Sequence, residues 1–428
     1  MAPHAFLVSE IEEVVLRSES PEDQFLYTPS IVIAEDQSQL LSHDIGGDGV
    51  SRLEDWQPFP KSNQRMVCRI HRRAMGEKAF EHVVSYPMCH ARLFKVRSKI
   101  YVIGHNGSVQ IAFSEDNGKT WSRLYQLTDT DGWHASACNV WYSNDRLYLC
   151  MERREGIEVK GWNVAGLAPH ILSVNVSDDL TNEKSWTISH SFTFDQMFGR
   201  EKFNYFGLPF QQTGFKYPSY SYSGDKLISS SPMGWLEGNV FQINDINHIW
   251  HDKNINSFIV ALRSNTAGVG YACYLKVVEI NVDGKYEMYT EVLRVPSGEA
   301  VVFLPFPGGH NKFQIEYDKI GKRFWMCSTQ SSDSMLKYES IPEKRHNLAS
   351  NERNRLAIYH SKNAVDWLFS GIVSIGEQEN CARNYPSIAI DGNDMVIALR
   401  GGDQRALNSQ YTNLIMINKI KDFRRLQY

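Results

Sequence analysis

Residues 114–121 read SEDNGKTW. Short polar side chains in this stretch can bond backbone amides, Gly118 tolerates positive φ, and Trp121 can pack back under a turn. The stretch therefore predicts a compact turn between two strands, in which Asp116 accepts backbone N–H groups and has a structural role. Weaker echoes occur in SDDLTNEKSW (177–186) and SKNAVDW (361–367). Their recurrence indicates a repeated β-structural unit.

Helical periodicity is nearly absent, whereas hairpins recur along the chain as an apolar strand, a tight polar turn and a second strand ending in polar residues. Six segments share this design: TPSIVIAEDQSQLLSHD (28–44), HARLFKVRSKIYVIGHN (90–106), ACNVWYSNDRLYLCMERR (137–154), NHIWHDKNINSFIVALRS (247–264), HNKFQIEYDKIGKRFWMCSTQ (310–330) and YPSIAIDGNDMVIALRGGD (385–403). A gap between the third and fourth leaves room for another unit near 204–230. We therefore predict an all-β protein, a single seven-bladed β-propeller over 1–428, with six blades as the alternative. Residues 10–17 are expected to supply a strand that closes the last blade.

Composition narrows the classes of partner. The chain has 428 residues and a formal net charge of −4, so no global basic field favours nucleic acid. No segment reads as a membrane span, and the N-terminus lacks the basic and apolar regions of a leader. We expect a cytoplasmic protein, or a secreted one if a leader was trimmed. The seven cysteines are widely spread, without CxxC spacing, and predict reduced core residues. Neither a cofactor nor a metal is expected, and the oligomeric state stays open.

In a propeller, the start of each innermost strand and the end of the next strand converge on one mouth of the axial channel. The residues predicted there are rich in histidine and arginine, which indicates a basic mouth and an anionic ligand. The candidates for catalysis are His105, His134, Tyr205 and Tyr217. The candidates for substrate binding are His90, Arg153, Arg263, His310, Tyr385 and Arg400.

SEDNGKTW matches the Asp box, S-x-D-x-G-x-T-W, so the chain resembles the sialidase-like propeller superfamily. Exo-sialidases use an arginine triad for the carboxylate, a tyrosine nucleophile assisted by glutamate, and an aspartic acid as general acid. They usually carry an F/Y-R-I-P motif near the first blade. Here that blade reads YTPSIV, without the arginine.

In its residue chemistry the chain also resembles seven-bladed uronate lyases that act on ulvan or on rhamnosyl-glucuronate ends. This resemblance implies β-elimination on an anionic oligosaccharide or polysaccharide. It assigns the base to His105 or His134, the acid to Tyr205 or Tyr217, and carboxylate neutralisation to Arg153, Arg263 and Arg400. The sequence favours the lyase. An exo-sialidase-type glycoside hydrolase, with Asp44, Glu152 or Asp403 as carboxylates, and a non-catalytic glycan-binding propeller are the alternatives.

Overall fold

A computed structural model describes residues 6–134, 137–156, 163–200, 220–223, 226–230, 234–265, 270–332 and 352–428. These residues are mostly β-strand, and the strands form six antiparallel sheets of four or five strands each, with one separate hairpin. The sheets are the blades of a β-propeller. The six-bladed alternative is the one that the described residues form.

The strands follow the chain from blade to blade, except that β1 (Ile11–Arg17) belongs to the sixth blade. The first blade contains β2 (Phe25–Ile33), β3 (Gln39–Gly46), β4 (Met66–Arg73) and β5 (Glu81–Tyr86). The second contains β6 (Cys89–Val96), β7 (Lys99–His105), β8 (Val109–Ser114) and β9 (Tyr125–Gln126). The third contains β10 (Trp133–His134), β11 (Trp141–Ser143), β12 (Arg146–Arg154), β13 (Leu167–Asn175) and β14 (Thr187–Ile188).

A short helix, α1 (Phe194–Arg200), follows the third blade, and then comes the separate hairpin of β15 (Tyr220–Ser223) and β16 (Lys226–Ser230). The fourth blade contains β17 (Trp235–Phe241), β18 (Ser257–Ser264), β19 (Tyr271–Val282), β20 (Lys285–Val292) and β21 (Phe303–Pro305). The fifth contains β22 (Gln314–Asp318), β23 (Arg323–Thr329), β24 (Arg355–Ser361) and β25 (Leu368–Ile375). The sixth contains β26 (Arg383–Asp391), β27 (Asp394–Gly401) and β28 (Leu414–Ile420), together with β1.

Direct contact between the third and fourth blades accounts for the number of blades. The indole N–H of Trp235 donates to the carbonyl of Leu167 at 2.8 Å, and the N–H of Gly238 donates to Glu152 Oε1 at 3.0 Å. These bonds leave no place for another blade between the two sheets. The unit expected near 204–230 therefore contributes the β15–β16 hairpin, and its remaining residues lie outside those described.

One predicted hairpin, 247–264, has its first strand in the wrong place. The innermost strand of the fourth blade is β17, which ends well before that segment, and His248 lies in a turn in which its N–H donates to the carbonyl of Asp245. The strand WLEGNVF has a bulge at Glu237 and Gly238. Because these two residues interrupt the apolar run, the sequence pattern does not identify the segment as a strand.

The turn at 114–121 is held by its aspartate. Asp116 Oδ1 accepts the backbone N–H groups of Lys119 at 3.0 Å and Thr120 at 2.9 Å, while Ser114 donates its hydroxyl to the same oxygen at 2.8 Å. Gly118 has a φ of +80°, and a Cβ there would collide with Leu40. The turn is therefore a folding element between β8 and β9.

A ring of polar side chains joins the innermost strands, and we call it the inner ring. Each member accepts the backbone N–H of the next blade: Ser30 from Leu93 (2.9 Å), Asn139 from Val240 (2.8 Å), Asn239 from Ile315 (2.9 Å), Gln314 from Ile388 (3.1 Å) and Ser387 from Ile31 (3.1 Å). Arg92 holds the equivalent place in the second blade and donates across the channel to Gln314 and Ser387. The inner ring thus closes the channel below the mouth.

The sixth blade unites the two ends of the chain. Strand β1 pairs antiparallel with β28, from Ile11 opposite Lys419 to Arg17 opposite Leu414. All seven cysteines are free and buried. Within the described ranges, no helix is both long and apolar enough to cross a membrane.

Candidate functional site

Four side chains at the mouth stand on unusual backbone. Thr28, His90, Glu237 and Tyr385 have φ values of 42°, 53°, 58° and 53°, and each lies in a β-bulge of an innermost strand, two residues before an inner-ring position. A bulge re-aims a side chain, and a non-glycine residue keeps this conformation only where its surroundings impose it. The four blades therefore share one device that turns a side chain towards the mouth.

The residues around the mouth divide into two walls. The cationic wall comes from blades four to six and consists of Glu237, Arg263, Lys312, Arg353, Tyr385 and Arg400. The imidazole wall comes from blades one to three and consists of Asp44, His90, His105, His134 and Glu152. Lys312 holds the position two residues before Gln314, equivalent to the four bulged residues, and is 1% exposed.

Arg263 organises the cationic wall. One guanidinium nitrogen, Nη1, lies 3.1 Å from Glu237 Oε2 and donates to the hydroxyl of Tyr385 at 2.9 Å. Its Nε donates to the backbone carbonyl of His310 at 2.9 Å. Because these bonds leave the guanidinium little freedom, they hold the tyrosine hydroxyl and the carboxylate around one fixed cation.

The ring of Tyr385 is surrounded by cations. The guanidinium carbon of Arg400 lies 4.8 Å from its centroid, that of Arg353 lies 5.6 Å away, and Lys312 Nζ lies 5.7 Å away. Arg400 also covers the ring of Tyr27 at 4.4 Å. Three arginines and a lysine from three blades therefore converge on one tyrosine, as a binding site for an anion requires.

Charge on the cationic wall is strongly unbalanced. Burial would raise the pKa of Glu237, but the charges of Arg263 and Lys312, with hydrogen bonds from Arg263 and Tyr385, outweigh it and hold that pKa below its ordinary value. Glu237 is therefore an anion at neutral pH. Burial lowers the pKa of Lys312 and of Arg400. One carboxylate among four basic side chains leaves a net positive site.

Three histidines meet on the imidazole wall. His90 Nδ1 lies 3.0 Å from His105 Nε2, and Cys89 Sγ lies 3.7 Å from the same nitrogen. The ring centroid of His134 is 5.8 Å from that of His90 and 6.5 Å from that of His105. Burial lowers the pKa of His90 to about 4, although the charge of Glu237 opposes it. Burial, followed by neighbouring charge, lowers the pKa values of His105 and His134 well below the ordinary value. All three imidazoles are neutral at pH 7.

Two buried carboxyl groups lie behind these histidines. Asp44 Oδ2 accepts the backbone N–H of His90 at 2.7 Å, and Glu152 Oε1 accepts that of Gly238. Burial raises the pKa of each to about 8, and in Glu152 the charge of Glu237 contributes to this rise. Both carboxyl groups are therefore mainly protonated at pH 7.

The structure brings together most of the residues that the sequence nominates. His90, His105, His134, Arg263, Tyr385 and Arg400 all lie at the mouth. His310 contributes its backbone carbonyl, which accepts from Arg263, and its ring is fully buried. Tyr205 and Tyr217 lie outside the described residues.

Arg153 does not lie with the other arginines. On β12 it points away from Glu152, because successive side chains of a strand alternate in direction. Its guanidinium instead donates to Thr130 Oγ1 at 3.1 Å and pairs with Glu155 in a groove beside the third blade. The charge of its neighbour Arg154 is one of those that act on the three histidines.

Asp403, named above as a possible carboxylate, pairs with Arg17 at 3.0 Å on the exposed side of the sixth blade. Sequence reasoning missed three members of the cationic wall, Glu237, Lys312 and Arg353. Glu237 and Lys312 each lie two residues before an inner-ring residue, and this spacing could have identified both from the sequence.

No protein-family model matches the sequence, and no curated protein matches it. Solved structures do match in shape. A protein of unknown function from Dyadobacter fermentans aligns with a TM-score of 0.50 and 10% identity, over 96% of this chain and 98% of that one. A mutant of Trypanosoma rangeli sialidase displaying trans-sialidase activity aligns with a TM-score of 0.50 and 10% identity, over 99% of this chain and 59% of that one. A Penicillium chrysogenum α-L-arabinanase has a TM-score of 0.49 and 9% identity, over 97% of this chain and 98% of that one. At these identities the likeness concerns the fold alone: the chain has the β-propeller fold of sialidase-like proteins.

Proposed function

We propose that the protein is a glycoside hydrolase that cleaves the bond to an acidic sugar, with Tyr385 as its nucleophile. The observation that carries this proposal is the contact of the Tyr385 hydroxyl with Arg263, which also pairs with Glu237. A tyrosine and a neighbouring carboxylate form a nucleophile and base, and tyrosine is the nucleophile in sialidases. A structure of the same fold is itself named a sialidase.

Each group then has a role in the displacement. Glu237 is ionised and takes the phenolic proton as the tyrosine oxygen attacks the anomeric carbon, while the glycosidic bond breaks and the aglycone leaves with its oxygen, as a phenolate in an aryl glycoside. Arg263 steadies the negative charge that develops on that oxygen. Arg353, Arg400 and Lys312 bind the carboxylate of the sugar beside the reacting carbon. Water then releases the sugar from the tyrosine.

Elimination next to a uronate remains a second candidate because of the imidazole wall. His90, His105 and His134 are neutral, which is the form a base needs, and they face the cations that would neutralise a uronate. Hydrolysis has the stronger support, since Tyr385 and Glu237 form a bonded arrangement with Arg263.

The test uses aryl glycosides, whose leaving group needs no proton, so that an unassigned general acid cannot hide the activity. Aryl sialoside and aryl glucuronide are compared with aryl glucoside, and release of the phenol is measured. We expect cleavage of at least one acidic glycoside and none of the glucoside. Tyr385→Phe should lower kcat by roughly 10³-fold or more, the order of loss seen when a nucleophile is removed. The control Tyr142→Phe, whose hydroxyl bonds the carbonyl of Lys95 outside the mouth, should retain activity.

A parallel assay separates hydrolysis from elimination. Uronate-containing oligosaccharides are incubated with the protein, and the ultraviolet absorbance of an unsaturated product is followed beside reducing-end release. An absorbance rise that survives in Tyr385→Phe and disappears in His105→Ala would replace the hydrolase with the lyase. Absence of any product, with binding of the sugars intact, would contradict both and leave a glycan-binding propeller.

A further inference from the structure

We propose that Cys89, His90 and His105 bind a zinc ion at the edge of the mouth. Among the described residues, these three form the group of cysteine, histidine and acidic side chains whose ligand atoms could hold a metal, all within 4.8 Å of one another. The spacing of these residues in the sequence does not predict a metal site, because Cys89 and His90 are consecutive and His105 lies on the neighbouring strand.

Two of the three distances between ligand atoms are close to those that a tetrahedral ion imposes. Ordinary zinc bond lengths place two nitrogen ligands about 3.3 Å apart and a nitrogen and a sulfur about 3.6 Å apart. His90 Nδ1 and His105 Nε2 are separated by 3.0 Å, and Cys89 Sγ and His105 Nε2 by 3.7 Å. The third pair, Cys89 Sγ and His90 Nδ1, lies within 4.8 Å, so these two side chains would close by up to about 1.2 Å to surround one ion.

The bulge at His90 explains how two consecutive residues reach the same point. Successive side chains in a regular strand point to opposite faces, so Cys89 and His90 would normally diverge. The left-handed conformation of His90, at a φ of 53°, breaks that alternation and brings both side chains to the same nitrogen of His105. Asp44 holds this conformation by accepting the N–H of His90.

The chemistry of the three side chains selects a soft or borderline ion. Thiolate and imidazole ligands suit zinc, whereas calcium and magnesium require oxygen ligands. The thiol of Cys89 now donates to Gln64 Oε1 at 3.2 Å; on binding, its proton leaves for solvent and the thiolate joins the ion.

The ion would keep an open coordination position. Two imidazoles on one tetrahedral ion have ring centroids about 5 Å apart, as His90 and His105 do at 5.1 Å. His134 is farther from both, at 5.8 and 6.5 Å, so it is not a fourth ligand in this arrangement. Cys89 and His105 are buried while His90 is half-buried and borders the mouth, so the fourth position faces a water or a sugar oxygen. Three protein ligands with an open position are typical of reactive rather than structural zinc sites.

The site can be tested whether or not the protein cleaves glycosides. The full-length protein is stripped with chelator and titrated with Co²⁺, and the thiolate-to-cobalt absorption is recorded before Zn²⁺ is added in competition. We expect one Co²⁺ per chain with a thiolate band, and its displacement by one equivalent of Zn²⁺. Zn²⁺ should also raise the Tm, because it binds the folded state.

Cys89→Ala should abolish the thiolate band and weaken zinc binding by roughly 100-fold or more. Loss of a metal ligand should cost more than loss of a residue that only hydrogen-bonds to a ligand. The matched control Cys327→Ala, another fully buried thiol, should keep both the band and the zinc-induced rise in Tm. His105→Gln provides an independent ligand variant if Cys89→Ala fails to fold. Failure of the wild-type protein to bind either metal, or an unchanged band in Cys89→Ala, would overturn the proposal.

Discussion

Single residues at the mouth act through conformations that sequence patterns do not display. Tyr385 and Glu237 occupy left-handed backbone, which costs about 1 kcal/mol or more for a side chain with a Cβ. The surrounding strands impose this conformation at equivalent places, and so a strained backbone and a reactive side chain coincide. The same residues lie among buried ionisable groups, whose titration can be measured.

Glu152→Gln should change how stability depends on pH. The pKa of Glu152 is about 8 in the folded protein, raised by burial above an ordinary value of 4.5. A group with a raised pKa stabilises the fold fully below its unfolded pKa, and this contribution is lost as pH rises through the folded pKa. Between pH 5 and pH 8, the Tm of the wild type should therefore fall more than the Tm of the variant. The two falls should differ by a few degrees, since 1 kcal/mol of stability corresponds to about 2 °C in Tm.

Differential scanning calorimetry at pH 5, 6, 7 and 8 measures this difference. Glu35→Gln, on an exposed turn, serves as the control and should follow the wild-type curve. If the difference in Tm between Glu152→Gln and the wild type stays constant with pH, our inference that the carboxyl group is protonated in the folded protein is wrong.

At the scale of elements, the innermost strands are joined by side chains rather than by a continuous sheet. Each polar residue of the inner ring completes the hydrogen bonding of a backbone N–H in the next blade. Since the bulged residues lie two positions away, the inner ring also sets the distance of each mouth side chain from the axis. Blade packing and site geometry are therefore coupled.

Asn239→Ala should destabilise the protein by about 2 kcal/mol or more, because it leaves a buried N–H without a partner. Asn239 Oδ1 accepts the N–H of Ile315 at 2.9 Å, and its amide donates to the carbonyl of Phe313 at 3.3 Å. Urea denaturation measures the free energy of unfolding. Asn281→Ala removes a similar bond to the N–H of Gly284, but on an exposed turn, and should cost less than about 1 kcal/mol. Equal losses in the two variants would show that the inner ring has no special part in stability.

For the whole molecule, closure of the propeller depends on a strand from the opposite end of the chain. Strand β1 covers the outer edge of β28, and Glu12 pairs with Arg383 at 3.1 Å across the same blade. An uncovered edge strand exposes a row of backbone groups that can pair with another chain. Without β1 the last blade would have such an edge.

Deleting residues 1–17 should lower the Tm and promote self-association, because the edge of β28 becomes exposed. Calorimetry and light scattering measure the two effects. A synthetic peptide of residues 9–18 should restore part of the Tm in trans, whereas a peptide of the same composition in scrambled order should not. An unchanged Tm after the deletion would mean that β1 does not stabilise the ring.

What the sequence determined by itself is the kind of fold and much of the mouth. Alternating strands and tight turns are local patterns, so they indicate a β-propeller, and the strand ends nominate His90, His105, Arg263 and Arg400 as mouth residues. Tertiary structure alone decided the number of blades, because this depends on the third and fourth sheets packing directly together. It also decided that Glu237 faces the mouth, since a bulge changes the direction of a side chain without changing local composition, and that Lys312 lies at the equivalent place in the fifth blade. The proposed zinc ligands depend on the bulge at His90, which brings two consecutive side chains to one nitrogen of His105. The contacts of Tyr385 join residues far apart in the chain, whose distances are set only when the ring closes.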